Sequence, residues 1–246
     1  MNRRRFLLSS ALAAPFSARA QSLPLVGWMH GGSAAPNGHL IAAFRAGLAE
    51  AGYVEGRNVR FDWRWANGRY DLLREMAEDF VRQRAAVIAA LGNVNAARAA
   101  MTATQTIPIV FANAADPVET GLVTRMNRPT ANATGVTYLQ SFMGPKRLEI
   151  LSEIIPAPGV IGVLLNPENV ISANERPSLL EAARKLGRAI RFYEASNSPA
   201  IEAVFQAAAA DGAAAMLVNI DVYFTSLRNE IAAIAIRHRK IGRAHV

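Results

Sequence analysis

Cysteine is absent from the 246-residue sequence. Its absence excludes disulfide bonds, thiolate metal sites and cysteine nucleophiles. Long apolar runs are missing as well, because nowhere do about 18 apolar residues follow one another, as a bilayer-spanning helix requires. Even so, 51% of the residues are hydrophobic, so the chain can bury the core of one large domain or of two small ones.

Signatures of nucleotide cofactors are missing too. Gly31 and Gly32 precede a predicted helix, but the G-x-G-x-x-G spacing of dinucleotide-binding turns is absent, and so is the lysine of a P-loop. His30 lies beside this pair without a second histidine or a carboxylate at metal-ligand spacing, which favours a hydrogen-bonding role. The sequence therefore predicts neither a cofactor nor a metal site.

Part of the formal net charge of +8 comes from the ends of the chain. Arg3, Arg4, Arg5 and Arg19 lie in a segment that we expect to be cleaved, and Arg243 lies in a tail that we expect to be non-native. Without them, 22 basic and 19 acidic residues remain, and the basic ones are scattered among acids on predicted helix faces. This pattern favours solvated helices over a phosphate-binding patch, and it predicts no nucleic-acid partner.

The first 20 residues have the three parts of a secretory signal peptide. Basic residues at 3–5 are followed by an apolar stretch at 6–14 and by a small-x-small cleavage sequence at 18–20. The arginine pair at 4–5 resembles a twin-arginine signal. We therefore expect export to the periplasm and removal of residues 1–20, whereas an uncleaved amphipathic helix fits the order of the three parts less well.

Short apolar runs alternate with longer segments of helical spacing from residue 25 onwards. Predicted strands cover residues 25–29, 59–65, 87–91, 109–111, 133–139, 160–165, 190–193 and 214–218. Predicted helices cover residues 40–51, 70–84, 95–104, 146–155, 176–186, 199–210 and 225–237. Such alternation is typical of an α/β fold with mainly parallel sheets and helices on both faces. A break near residues 139–145 predicts an N-terminal lobe at 21–140 and a second lobe at 141–240.

Small polar residues follow the predicted strands in both lobes. Because ligands of open α/β sheets bind beyond the carboxyl ends of the strands, these residues are the candidates for a binding site. They are Gly32, Ser33, Asn93, Asn113 and Asp116 in the first lobe, and Asn166, Asn219 and Asp221 in the second. This mostly uncharged set suits hydrogen bonding to a small polar ligand, and it supplies neither an acid–base pair nor a nucleophile with its base.

Structural alternatives stay open for several of these positions. The turn at Gly32 and Ser33 could hold a carboxylate on backbone N–H groups, or it could be an ordinary glycine turn. Asp116 could contact a ligand or cap the helix that follows it. Trp63 and Trp65 lie on one face of a strand, which favours core packing.

Several stretches together resemble one protein family. They are LVGW at 25–28, GG at 31–32, FRAGL at 44–48, LAEAGYVEGRNV at 48–59, RWANGRYD at 64–71, IPIVF at 107–111, DPVETGLV at 116–123, NATGV at 132–136 and KRLEIL at 146–151. In this order and spacing they are similar to the ABC-transporter substrate-binding family of the tryptophan/tyrosine-uptake type, from about residue 25 to residue 240.

The resemblance implies a type I periplasmic-binding fold, in which two Rossmann-like lobes close on a ligand by hinge motion. It also implies a monomeric binding protein without catalytic activity, which delivers an amino-acid-like solute to the permease of an ABC importer. By position, the eight candidate residues would face the cleft between the lobes. If the ligand is aromatic, Phe142 and Tyr223 are candidates to hold its ring.

The carboxyl end departs from the pattern of this family. Members continue past a helix such as the one predicted at 225–237, whereas this chain ends in IGRAHV at 241–246. A back-translation of this ending resembles a sequencing adapter, so we expect a non-native tail and an incomplete second lobe. Uncovered strand edges and apolar helix faces would then favour aggregation.

Other functions fit the sequence less well. A Rossmann-like enzyme would need a dinucleotide fingerprint or an acid–base constellation. A sugar-responsive transcription regulator would need an N-terminal helix-turn-helix where this chain has an export signal. The ligand-sensing domain of a signalling system has the same fold, and the neighbouring genes would distinguish it from an import receptor.

Overall fold

The computed structural model describes residues 22–127, 131–155, 158–238 and 241–243. The predicted signal peptide at 1–20 and the final residues of the predicted tail, 244–246, lie outside the described residues. Two separate sheets carry the fold, and every strand pairing in them is parallel. The predicted α/β class with two Rossmann-like lobes is confirmed.

The first lobe is built on a five-stranded sheet in the order β2-β1-β3-β4-β5. Its strands are β1 (Leu25–His30), β2 (Arg60–Trp65), β3 (Val87–Leu91), β4 (Ile109–Asn113) and β5 (Ala133–Thr137). Its helices are α1 (Gly38–Glu50), α2 (Leu72–Arg82) and α3 (Val94–Ala103). A short 3-10 helix at Ala35–Asn37 precedes α1.

Hydrophobic periodicity explains how these elements pack. Helix α2 buries Leu73, Ala77 and Phe80 at a spacing of three to four residues, so one face of the helix lies against the sheet. On the opposite face of the sheet, the rings of Trp63 and Trp65 lie 5.6 and 4.5 Å from that of Trp28. The sheet therefore has aromatic or aliphatic packing on both sides, as parallel sheets generally do.

The second lobe has a four-stranded sheet in the order β7-β6-β8-β9. Its strands are β6 (Ile161–Leu165), β7 (Ile190–Glu194), β8 (Ala215–Val218) and β9 (Ile241–Arg243). Its helices are α4 (Gly144–Ile154), α5 (Val170–Lys185), α6 (Ser198–Ala210), α7 (Val222–Ser226) and α8 (Arg228–Arg237). Helices α4 and α5 share one apolar cluster with the sheet, whereas α6 and α8 share another. A linker that contains the 3-10 helix Gln140–Met143 joins the two lobes.

Two predicted helices differ from the structure. The helix predicted at 176–186 begins earlier, at Val170, because Oδ1 of Asn169 accepts a hydrogen bond from the N–H of Ile171 and caps it. Pro177 lies inside this helix, where the unpaired carbonyl of the exposed Ala173 can be solvated.

The helix predicted at 225–237 is divided into α7 and α8 at Leu227. Its start is also earlier, since Asp221 caps α7 through the N–H groups of Tyr223 and Phe224. Over the described part of the chain, no helix is both long enough and apolar enough to cross a bilayer.

Candidate ligand-binding site

Each sheet has a point at which successive strands are added on opposite sides. In the first sheet β2 and β3 flank β1, and in the second sheet β7 and β8 flank β6. At such a point the chain connections diverge, which opens a crevice at the carboxyl ends of the strands. The crevices of the two lobes meet in one interlobe cleft.

A cavity of about 610 Å³ occupies part of this cleft. Its walls come from both lobes and from the linker, and they include His30, Gly92, Ala114, Gln140, Ile220 and Asp221. Its volume is within the range of small-molecule sites. The first lobe, the linker and the second lobe therefore all contribute walls to one open cavity.

A smaller cavity of about 280 Å³ lies next to it. Consecutive residues line the two cavities, since Ala114 contacts the larger one and Ala115 the smaller one. Phe142 of the linker and Glu175 of α5 line the smaller cavity as well. The side chain of Phe142 is 51% exposed, so its ring is accessible from the cleft.

Four of the predicted site residues form a buried set of asparagines at strand ends. Asn93, Asn113, Asn166 and Asn219 are at most 2% exposed. The Oδ1 atoms of the first three accept hydrogen bonds from backbone N–H groups two or three residues later, at 2.9–3.1 Å. In these three residues Oδ1 stabilises the local turn, so Nδ2 is the atom that remains available for another hydrogen-bond partner.

Three of these asparagines have hydrogen-bonding capacity that the described residues do not satisfy. Nδ2 of Asn93, Nδ2 of Asn113 and both amide atoms of Asn219 have no hydrogen-bond partner in that part of the chain. Leaving a buried polar group unpaired costs about 1–3 kcal/mol. Asn113 and Asn219 lie at strand ends of different lobes, beside the cavity-lining residues Ala114 and Ile220, so a polar ligand between the lobes would supply their missing partners.

Asp221, another predicted site residue, is engaged by protein groups. Its oxygens accept hydrogen bonds from the hydroxyl of Tyr70 at 2.8 Å, from Nδ2 of Asn166 and Asn169 at 3.1 and 2.9 Å, and from the N–H groups of Tyr223 and Phe224 at 2.9 and 3.0 Å. Burial raises the pKa of Asp221. Burial, together with the charge of Asp221, also holds the pKa of Tyr70 well above its ordinary value, so the phenol stays a donor.

The bond from Tyr70 to Asp221 is one of several that join the lobes. Oγ of Ser226 accepts from the N–H of Ser33 at 3.0 Å and from Nδ2 of Asn37 at 3.1 Å. Across the same gap, Nδ2 of Asn95 donates to a backbone carbonyl oxygen of the second lobe at 2.8 Å. The lobes are therefore in direct contact around the cleft.

The glycine turn after β1 uses its N–H groups within the protein. The N–H of Gly32 donates to Nδ1 of His30 at 2.9 Å, and the N–H of Ser33 donates to Ser226. In this arrangement neither is free for an anion. His30 stacks on Trp28, and burial lowers its pKa to about 4, so it is neutral at neutral pH and serves as a hydrogen-bond acceptor.

Asp116 has the geometry of the capping alternative. Its Oδ1 accepts hydrogen bonds from the N–H groups of Val118 and Glu119 at 2.7 and 3.2 Å. Its neighbour Ala115 lines the smaller cavity. The carboxylate of Asp116 thus stabilises the turn that follows the cavity-lining residue Ala115.

Glu175 is a residue that the sequence reasoning missed. It is 3% exposed, lines the smaller cavity, and neither of its carboxylate oxygens accepts a hydrogen bond from the described residues. Burial raises its pKa to about 7, an effect that Asn219 and the charge of Arg147 partly offset. Asn219 is near enough to act on this pKa, but no hydrogen bond of acceptable geometry joins the two side chains.

Metal binding has no support in the described residues. They contain no group of three or more histidine, aspartate or glutamate side chains that could hold a metal ion. The site combines amides, the two buried carboxyl groups of Glu175 and Asp221, and accessible aromatic rings.

We predict that Tyr70→Phe weakens the contact between the lobes without unfolding either of them. The variant removes one hydrogen bond to a charged acceptor, worth about 1.5–3 kcal/mol, and leaves Asp221 its other donors. The equilibrium constant for contact between the lobes should fall about 10-fold or more, and small-angle X-ray scattering would detect the open population that results as a larger radius of gyration. Tyr53→Phe, at an exposed position of the first lobe, is the control. An unchanged scattering curve for Tyr70→Phe would contradict the prediction.

Comparison with known proteins identifies similar sequences over most of the chain. The family described as ABC transporter substrate binding protein matches residues 39–241. A tyrosine-binding protein of Clostridioides difficile is 32% identical over 142 residues, which is 58% of this chain. The matched part spans 40% of the length of that relative.

Solved structures with the same architecture include two with high structural similarity. A conserved domain protein of Vibrio cholerae has a TM-score of 0.77 at 27% identity, over 89% of this chain and 73% of its own. An ABC domain of Streptococcus pneumonia in complex with L-Trp has a TM-score of 0.76 at 19% identity, over 92% of this chain and 75% of its own. These similarities confirm the predicted type I periplasmic-binding fold.

Proposed function

Since this chain belongs to the family of ABC transporter substrate binding proteins, we propose that it is an extracytoplasmic solute receptor. It is exported through the N-terminal signal at 1–20 to the periplasm. There it captures a small amino-acid-like molecule as a monomer and delivers it to the permease of an ABC importer.

The observation that carries the proposal is that each lobe has an unsatisfied asparagine amide at a strand end beside the cleft. Asn113 ends a strand of the first lobe, Asn219 follows a strand of the second, and both are buried. Buried amides without partners are costly in a protein interior. A ligand with donors and acceptors of its own would satisfy both and join the lobes, as a hinge-closing receptor requires.

The ligand class follows from the chemistry of the cleft. Amides and hydroxyls dominate the polar groups, while Phe142 and Tyr138 present half-exposed rings at the two cavities. Such walls suit a polar head and an apolar or aromatic side chain. One similar protein is called tyrosine-binding and another was solved with L-Trp, which supports an amino acid as the solute.

The eight predicted site residues take different parts in this proposal. Asn113 and Asn219 contact the ligand directly. Gly32, Ser33, Asn93 and Asp116 build the wall of the first lobe, and Asn166 and Asp221 hold the second lobe against Tyr70. Of the two ring candidates, Phe142 faces the ligand, whereas Tyr223 packs against Gly68 of the other lobe.

Binding, without chemical turnover, accounts for the groups present. His30 is neutral, and its Nδ1 is occupied by the turn that it supports. Asp221 is occupied by its own network. The groups that stay unsatisfied near the cleft are the amides of Asn93, Asn113 and Asn219 and the carboxylate of Glu175, and they are recognition groups.

Isothermal titration of the full chain with the twenty common L-amino acids tests the proposal. We expect one amino acid or a few similar ones to bind, and to stabilise the protein by about 2.7 kcal/mol at 100 times the dissociation constant. Asn219→Ala should weaken binding about 10-fold or more, since it removes the amide from the cleft. Asn229→Ala, at an exposed position of the same lobe, should bind like wild type. Absence of binding by any amino acid, for a chain that melts cooperatively, would overturn the proposal.

A further inference from the structure

Among the unsatisfied side chains that the described residues place near the cleft, Glu175 is the acidic one. The residue lies one and a half turns into α5, and the side chain is buried at 3% exposure against the smaller cavity. An acidic side chain is rarely buried this deeply unless it is paired and hydrogen-bonded. Both oxygens of Glu175 lack a hydrogen-bond donor among the described residues.

We infer that the smaller cavity is a subsite for a protonated primary amine, and that Glu175 accepts its N–H groups as a carboxylate. The inference rests on the proposed function, and it specifies which part of an amino-acid-like solute this wall recognises. An ammonium group supplies the hydrogen-bond donors that both oxygens of Glu175 lack, and it adds a positive charge to that of Arg147.

The other walls of the cavity suit the same group. Phe142 from the linker presents an accessible ring, and aromatic faces attract ammonium ions by a cation–π interaction. Ser141 and Asn174, two residues with polar side chains, also line the cavity. The volume of about 280 Å³ is close to the lower limit of small-molecule sites, so it accommodates the head of a ligand whose remainder extends into the larger cavity.

The charged groups near Glu175 set the direction of a pH effect. Arg147 on α4 acts on Glu175 through its charge. The exposed Glu119, in the loop after β4, lines the same cavity. Asn219, directly after β8, is neutral and is near enough to affect the pKa of Glu175. Arg176 on α5 points elsewhere, since it stacks on Phe192 and pairs with Glu194.

Without a ligand, burial is the largest influence, and the pKa of Glu175 is about 7. An ammonium ion against the carboxylate favours the ionised form. Amine binding therefore expels the proton that Glu175 holds below pH 7, and that proton leaves to solvent. Affinity for an amine should rise about 10-fold between pH 6 and pH 8, because the ionised fraction of a group with this pKa rises by that factor.

The test compares three probes that share one ring. L-Tyrosine carries the ammonium and the carboxylate, 3-(4-hydroxyphenyl)propanoate lacks the ammonium, and tyramine lacks the carboxylate. Each is titrated calorimetrically against the full chain at pH 6 and pH 8, in two buffers of different ionisation enthalpy, which counts the protons released. The variants are Glu175→Gln and, as a matched control at the rim of the same cavity, Glu119→Gln.

We expect Glu175→Gln to weaken L-tyrosine binding at least 10-fold at pH 8 and to abolish proton release at pH 6. Binding of the propanoate should not change, and Glu119→Gln should behave like wild type. Equal affinity of wild type and Glu175→Gln for L-tyrosine, with the same proton release, would overturn the inference and leave the receptor function intact.

If wild type binds no L-amino acid, the proposed function fails, and tyramine then decides the inference alone. Tyramine bound by wild type and not by Glu175→Gln would support the amine subsite. Failure of tyramine to bind wild type would overturn it. A cooperative thermal melt of each variant ensures that a loss of binding is not a loss of folding.

Discussion

Asp221→Ala is expected to lower the free energy of unfolding by about 3–5 kcal/mol, the usual cost of removing one partner from a buried charged network. The substitution leaves the hydroxyl of Tyr70 and the amide of Asn166 without their acceptor, and Asn169 keeps only the carbonyl oxygen of Ile220. It also removes the cap of α7. The loss should appear as a lower midpoint of urea unfolding followed by circular dichroism.

Asp116→Ala is the matched control for this variant. Asp116 also accepts two backbone N–H hydrogen bonds at the start of a turn, but it has no comparable network of buried side-chain donors among its hydrogen bonds. Losing a cap of this kind costs about 1 kcal/mol. If the two variants were equally destabilised, the capping contacts alone would account for the role of Asp221, and the network would contribute nothing measurable.

Glu175→Gln is expected to have the opposite effect on the free energy of unfolding and to stabilise the ligand-free protein by about 3 kcal/mol at pH 8. The folded pKa of Glu175 is about 7 and its ordinary value is 4.5, so ionising it costs more in the folded state than in the unfolded chain. Each pKa unit of difference corresponds to about 1.36 kcal/mol. Glutamine keeps the size of the side chain and carries no charge.

The dependence on pH distinguishes this effect from a general improvement in packing. Between pH 4.5 and pH 7 the folded state holds a proton on Glu175 that the unfolded chain has lost, so this group lowers stability progressively as pH rises through that window. The advantage of Glu175→Gln should therefore shrink to about 1 kcal/mol or less at pH 5. Urea unfolding at pH 5 and pH 8 measures it.

Glu181→Gln is the control on the same helix. Glu181 is exposed and pairs with Lys185 four residues later, and surface pairs of this kind contribute little. A gain for Glu175→Gln that is equal at both pH values would contradict the assignment of a buried, partly protonated carboxylate.

Most of the fold could be predicted from the sequence because it depends on local patterns. Apolar runs of five residues gave strands such as β3, and helical spacing gave α2, each within two residues of the structure. The start of α5 could not be predicted in this way, since Pro177 signals a break. The signal that could have revealed it is Asn169, a good capping residue one position before the helix begins.

The candidate site was predictable where it depends on strand ends. The carboxyl ends of parallel strands lie at one edge of a sheet, so the asparagines at these ends were found from the order of the elements alone. Tyr70 was missed because its partner, Asp221, is 151 positions away, and no local pattern reports a contact between lobes. Glu175 was missed because an acid in a polar segment of a helix is usually solvated.

The approach of Tyr223 to Gly68 restricts which mutations the protein can accept. Gly68 has a φ of +83°, which disfavours any side chain, and a Cβ atom placed there would lie 2.6 Å from the ring of Tyr223. One position thus fixes both the shape of a turn in the first lobe and the spacing to the second. A substitution at residue 68 would therefore strain the turn and push the two lobes apart. Glycine is required at this position although it has no side chain of its own.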